Sequence, residues 1–266
     1  MHRVIFDHTN TKPVLKVRNR TICALCGSGG PLRKSHIIPE FFYTELYDQL
    51  HRFRVITVDV STPEAFKQKG IYEKLLCDAC EQKFSRWEKY AKEAFADGIG
   101  IKIVRDGNLF HLSHLDYVKF RLFLLSLLWR MAVSALEIFS EVNLGEKHER
   151  ILRAALRHED PLQPLEYPCL ICAVKIDGKF QRDWILPPVH ARSEGRHCYC
   201  VVINGILFCF YVSSHSMPQK FIGACINKQN EMSIYFGEVR KIPFLAEYVS
   251  NLGDALRKRK SGDPGT

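Results

Sequence analysis

Two pairs of cysteines, Cys23-Ala-Leu-Cys26 and Cys77-Asp-Ala-Cys80, constrain this chain more than any other feature. Two residues between cysteines let both thiolates reach one metal ion, and two such pairs supply the four ligands of a tetrahedral zinc. Gly27, Gly29 and Gly30 follow the first pair and suit the tight backbone of a knuckle turn. The second pair opens a segment, Asp78 to Asp97, in which Phe84, Trp87, Ala91, Ala94 and Phe95 recur at helical spacing before Gly98. Cys77 and Cys80 are therefore expected in the first turn of a helix. A zinc on Cys23, Cys26, Cys77 and Cys80 has no open position and is structural. The fifty residues that separate the pairs are read as an insertion.

Ten cysteines in all would also suit a disulfide framework, so the compartment matters. The first residues, MHRVIFDHTNTK, carry charge where an export signal needs an apolar core. The longest apolar run, Leu122 to Phe139, is interrupted by Arg130 and reads as a buried helix, not a membrane span. Both features point to a cytoplasmic protein without a membrane partner, where paired cysteines bind metal before they bond to each other. Knuckle plus helix start is the treble-clef arrangement.

Between the pairs lies Leu32-Arg33-Lys34-Ser35-His36-Ile37-Ile38-Pro39, and the second pair sits in Leu75-Leu76-Cys77-Asp78-Ala79-Cys80-Glu81. With these residues the chain resembles the HNH, or ββα-metal, nuclease family. Its four-cysteine members run CxxC, a strand with His-Ile-Ile-Pro, then LCxxC entering a helix. The resemblance covers about the first 90 residues, a third of the chain. It is similar as well to a bacterial subgroup with SHIIP and LLCxxCE motifs, followed by a segment like Leu127-Leu128-Trp129-Arg130.

The resemblance implies a metal-dependent endonuclease that hydrolyses phosphodiester bonds, with nucleic acid, DNA before RNA, as its partner. In that chemistry a cation such as Mg²⁺ or Mn²⁺ stabilises charge at the scissile phosphate while a histidine activates water. His36 takes the general-base position, and a side chain with an ordinary pKa of about 6.5 suits it. Glu81 takes the helix position often held by His or Asn, and a carboxylate is a legitimate ligand for either cation. Ser35 stands where many HNH sites carry Asp or His. The family's orienting Asn has no match, since no asparagine occurs between Asn19 and Asn108; Gln68, Asp59 and His51 are the available substitutes. Glu88 shares a helical face with Glu81, Ser85 and Lys92, so it either supports Glu81 or pairs with Lys92. These departures keep a second reading open: a catalytically inactive, zinc-dependent nucleic-acid-binding or adaptor protein.

Charge agrees with a polyanionic partner. The chain carries 38 Lys and Arg against 29 Asp and Glu, a net +9. Lys12, Lys16, Arg18, Arg20, Arg33 and Lys34 bracket the knuckle with no acidic residue among them, where a phosphate backbone would approach His36. Arg257-Lys258-Arg259-Lys260 adds a basic tail.

The expected class is α+β. An N-terminal treble-clef/ββα-metal zinc module (1–100) precedes a helical segment (101–162), a β-rich C-terminal domain (163–248) and a mobile basic tail (249–266). Asp116 is expected to cap a helix running through Phe139, and Glu146 to Arg157 a shorter amphipathic one. A buried Arg130 would find Glu137 seven residues on. Asn204-Gly205, between CYCVVI and ILFCFYV, signals a hairpin buried on both faces. Cys169 and Cys172, with His197, Cys198 and Cys200, raise a second metal site, but strand alternation would send Cys169 and Cys172 to opposite faces. The C-terminal domain is a candidate surface for a protein partner.

Overall fold

A computed structural model describes residues 3–6, 20–57, 65–96, 98, 100–180, 182, 184–213, 215–242, 245–247, 249–251, 253, 254 and 257. Lys12, Lys16, Arg18, Asp59, Lys258, Arg259 and Lys260 lie outside them, as does most of the expected tail.

The elements are, in order, β1 (Arg3–Phe6), β2 (Arg33–His36), β3 (Phe53–Thr57), β4 (Ala65–Lys67), β5 (Tyr72–Leu76), α1 (Asp78–Ala96), β6 (Lys102–Asp106), β7 (Leu109–Ser113), α2 (Tyr117–Val133), α3 (Gly145–His158), β8 (Cys169–Ile176), β9 (Lys179–Phe180), β10 (Trp184–Ser193), β11 (Arg196–Ile203), β12 (Ile206–Tyr211), α4 (Gln219–Ile222) and β13 (Met232–Glu238). Helices and strands are mixed along the chain, in keeping with the α+β class.

The hairpin of β11 and β12 sets the frame. Asn204 and Gly205 both take positive φ, 52° and 70°, the backbone of a type I′ turn whose twist matches its strands. Side chains beyond it alternate between two apolar clusters: Tyr199, Val201, Ile203, Phe208 and Phe210 enter one, Cys198, Cys200, Val202 and Leu207 the other. The strands are thus buried on both faces, as the unbroken apolar runs require. Around this hairpin the large sheet runs β4-β3-β1-β10-β11-β12-β8-β13-β7-β6, with β9 paired to β8. Pro187 and Pro188 fall where the β10–β11 register shifts, since neither can donate to the ladder. The segment expected to be helical also supplies β6 and β7, which close one edge of this sheet.

One face of the sheet carries α1, α2 and α3, while Phe221 of α4 packs against the other. Phe42 packs on Phe95, Phe123 and Phe208 at ring separations of 5.8, 6.4 and 6.0 Å, so one core joins the N-terminal region, the helices and the sheet. Helix α2 is buried along nearly its whole length, and no described helix is long and apolar enough to cross a membrane.

Asp116 caps α2 as expected, accepting from the Lys119 amide at 3.0 Å. The helix stops at Val133, six residues short of Phe139. Glu73 of β5 causes the stop: it accepts from the Ser134 hydroxyl at 2.7 Å and the Ala135 amide at 3.0 Å, and draws the backbone extended. Glu137 then falls in a 3-10 turn off the helical face, and buried Arg130 pairs with Glu88 of α1 at 2.5 Å instead. The Arg130–Glu88 pair ties α2 to α1.

Near the sheet, β2 and β5 form a separate antiparallel ribbon with Ser35 opposite Glu73 and His36 opposite Tyr72. β5 passes through Cys77 directly into α1.

Candidate metal centre and the strand beside it

The knuckle is built from short backbone bonds. Cys23 N donates to Ser28 O and Gly27 N to Cys23 O, both at 2.9 Å, and Ile22 bridges Gly29. Gly27 turns the chain with φ of 80°, and a Cβ there would stand 3.2 Å from the Arg153 guanidinium. Two long-range bonds fix the turn in place: Ala24 N donates to Leu75 O of β5 at 3.0 Å, and Arg153 of α3 donates to Leu25 O at 2.7 Å.

Cys77 and Cys80 arrive from the start of α1, as the spacing predicts. The four Sγ atoms of Cys23, Cys26, Cys77 and Cys80 lie within 4.8 Å of one another, with Cys26 and Cys77 3.7 Å apart. Zn–S bonds of about 2.3 Å in a tetrahedron separate sulfurs by about 3.7–3.8 Å, so the cluster can hold one metal ion, and an all-thiolate set suits zinc. Burial pushes the Cys23 and Cys80 thiols up. Burial acts on Cys26 too, but the Ser28 hydroxyl and amide and the neighbouring thiols outweigh it and bring Cys26 to about 6.

Ser35 and His36 end β2 with opposite orientations. Ser35 is fully buried and its hydroxyl donates to Glu81 Oε2 at 2.6 Å. His36 points the other way with 30% of its side chain exposed, and Nε2 lies 2.7 Å from Glu40 Oε2. Tyr47 donates to the other Glu40 oxygen at 2.5 Å, and Tyr72 stands edge-on to the imidazole at 6.0 Å. Gly70 leaves room for this arrangement, because a Cβ there would sit 2.6 Å from the Tyr43 ring and 2.9 Å from Glu40 Oε2. Glu40 and Tyr47 are contacts that sequence reasoning missed; the i,i+4 spacing of His36 and Glu40 was the available signal.

Of the substitutes for the missing Asn, His51 stacks on Tyr47 at 3.8 Å and so borders the Glu40 cluster, whereas Gln68 is exposed. Glu88 supports neither Glu81 nor Lys92. Arg130, 1% exposed, donates from Nη1 to Glu88 and to the His36 carbonyl at 2.6 Å, so α2 holds the end of β2 directly.

The basic stretch presents less open charge than its count implies. Arg33 pairs with Asp78 at 2.5 Å, and Arg20 lies 4.0 Å from Glu73. Lys34 is exposed and sits over the Tyr72 ring at 5.3 Å.

Among the other cysteines, Cys200 stands 3.9 Å from Cys198 and 2.9 Å from Cys209, but these three form no cluster close enough for one metal ion. Cys169 enters the helix-side cluster while Cys172 packs on the opposite one, as alternation requires. Cys200 and Cys209 are cross-strand partners with sulfurs 2.9 Å apart, but His197 turns to His190 at 2.8 Å. Among the described residues the four N-terminal cysteines form the one group of three or more His, Cys, Asp or Glu side chains close enough for a metal.

Compared with protein families, curated proteins and solved structures, the chain matches none.

Proposed function

We propose that this chain is a metal-dependent HNH-like endonuclease, in which a zinc-stabilised treble clef presents His36 as general base against a phosphodiester of nucleic acid, DNA before RNA. The observation that carries the reading is the 2.6 Å hydrogen bond from Ser35 to Glu81. It joins the residue before the histidine to the helix residue after the last cysteine, the two positions at which the resemblance puts the metal. The β2–β5 ribbon running through Cys77 into α1 supplies the ββα order that the family name describes.

His36 has the surroundings of a base. Glu40 Oε2 lies 2.7 Å from Nε2, which leaves Nδ1 as the nitrogen to accept a proton from water. Tyr47 holds the Glu40 carboxylate beside the imidazole. Arg130 fixes the same strand end through the His36 carbonyl. A divalent cation, when bound, would neutralise charge at the scissile phosphate; Glu81 would hold it, with Ser35 beside it, and Mg²⁺ commonly uses only one or two carboxylates plus phosphate and water.

Plasmid cleavage in Mg²⁺ or Mn²⁺ tests the proposal. Wild type should nick or linearise DNA, and His36→Ala and Glu81→Gln should each lose at least about a hundredfold in rate with zinc content unchanged. Two observations favour a second reading: the Ser35 hydroxyl occupies one of the two Glu81 oxygens, and Ser35 and His36 point to opposite sides of β2. Retained nucleic-acid binding with no cleavage of DNA or RNA by wild type would establish that reading, a zinc-dependent binding or adaptor protein, and overturn the first.

A further inference from the structure

At the end of α1 remote from the cysteines, a cavity of about 330 Å³ opens between the helix terminus, the β6–β7 hairpin and the helix-side face of the sheet. Glu81 and Phe95 stand fourteen residues apart on α1, about 21 Å along the helix, so this cavity is distinct from the Glu81 position and owes nothing to the reading proposed for it. Its lining is apolar apart from Arg182, with Phe95, Phe110, Ile171, Phe180 and Phe236 prominent in it. Several of these are only half-buried. Concave apolar surface of this size is what small-molecule sites present.

The rings that line the cavity are overlaid by cations. Arg182 lies over Phe180 at 5.4 Å, Arg105 over Phe110 at 5.6 Å, and Lys175 over Phe236 at 5.2 Å. Arg105 also donates to Gly107 O at 3.0 Å. Asp106 follows Arg105, and Glu238 is the register neighbour of Lys175, yet Glu238 accepts from the Gly178 amide at 3.0 Å. Among the described residues, none of the three cations forms an ion pair with a carboxylate. An apolar chamber lined by Arg182, with Arg105 and Lys175 over two of its rings, is complementary to one kind of ligand: an apolar body ending in an anion.

We propose that this cavity binds an aliphatic carboxylate of medium chain length, with the chain among the phenylalanines and the carboxylate at Arg182. The cations select the head group and the cavity selects the tail, so neither a short acid nor an uncharged chain satisfies the site.

Calorimetric titration of the full chain with decanoate, decanol and acetate tests this. Decanoate should bind with a dissociation constant below about 1 mM, and decanol and acetate at least about tenfold more weakly. Arg182→Gln should weaken decanoate about tenfold while leaving decanol unchanged. Ile103→Asp, at an exposed position lining the mouth, should abolish decanoate binding through charge repulsion without touching the core. Decanol binding as tightly as decanoate, or decanoate unaffected by both substitutions, would overturn the proposal. So would a dimer in sedimentation that Ile103→Asp dissociates, or oligonucleotide binding that Ile103→Asp alone removes, since each would give the cavity a different occupant.

Discussion

Cys23, Cys26, Cys77 and Cys80 bring their sulfurs within 4.8 Å of one another, whereas Cys169 enters one apolar cluster of the sheet and Cys172, Cys198, Cys200, Cys209 and Cys225 the other, without forming a group close enough for one metal ion. The intervening spacing is the same in Cys23–Cys26, Cys77–Cys80 and Cys169–Cys172. Backbone makes the difference. A knuckle turn or a helical first turn folds positions i and i+3 onto one side, while a strand sends them to opposite sides. Both regions share one apolar core, but only the first gathers four thiols closely enough to hold a metal ion.

Cys77→Ser is the largest perturbation expected of that contrast. It should bring zinc in the purified protein close to zero and cost more than any single core truncation, since structural zinc sites contribute apparent free energies of order 10 kcal/mol. Cys172→Ser should keep its zinc and cost at most about 2 kcal/mol in urea unfolding. Equal zinc loss in both variants would erase the distinction between the regions.

Phe208→Ala truncates a fully buried ring that touches Phe42 and Phe95, and should cost about 3–5 kcal/mol with zinc content intact. Glu88→Gln leaves buried Arg130 without its carboxylate and should cost about 3 kcal/mol. Because Arg130 also holds the His36 carbonyl, amide exchange should speed up at the end of β2 in that variant and stay unchanged in β11 and β12.

Asp116→Ala should have the smallest effect, about 1 kcal/mol, through loss of the α2 cap. Partial burial raises the Asp116 carboxyl, but bonds from the Lys119 side chain and amide outweigh it and hold it below the ordinary carboxylate range. A carboxyl lowered on folding stabilises above its unfolded pKa and loses that contribution as pH falls through its folded value. The stability gap between wild type and Asp116→Ala should therefore narrow in acid, and a pH-independent gap would locate the effect elsewhere.

Local chemistry made much of this legible in the sequence. The cysteine pairs, the Asn204-Gly205 turn, the Asp116 cap and the opposite faces of Cys169 and Cys172 all follow from interactions within a few residues. Long-range contacts decided what was missed. Helix α2 ends at Val133 because Glu73, distant in sequence, captures Ser134 and Ala135. Arg130 and Glu88 are likewise brought together only by the packing of α2 on α1. At the candidate site the sequence placed His36 beside Ser35 and Glu81 on the helix, but the Ser35–Glu81 bond and the Glu40–Tyr47 support needed β2, β5 and α1 assembled.

Metal analysis of the purified chain, set against its Cys77→Ser variant, measures the contrast between the two regions most directly. One zinc per wild-type chain and none in Cys77→Ser is the expected result. No zinc in wild type, two per chain, or zinc retained by Cys77→Ser would contradict the assignment of a single site to Cys23, Cys26, Cys77 and Cys80.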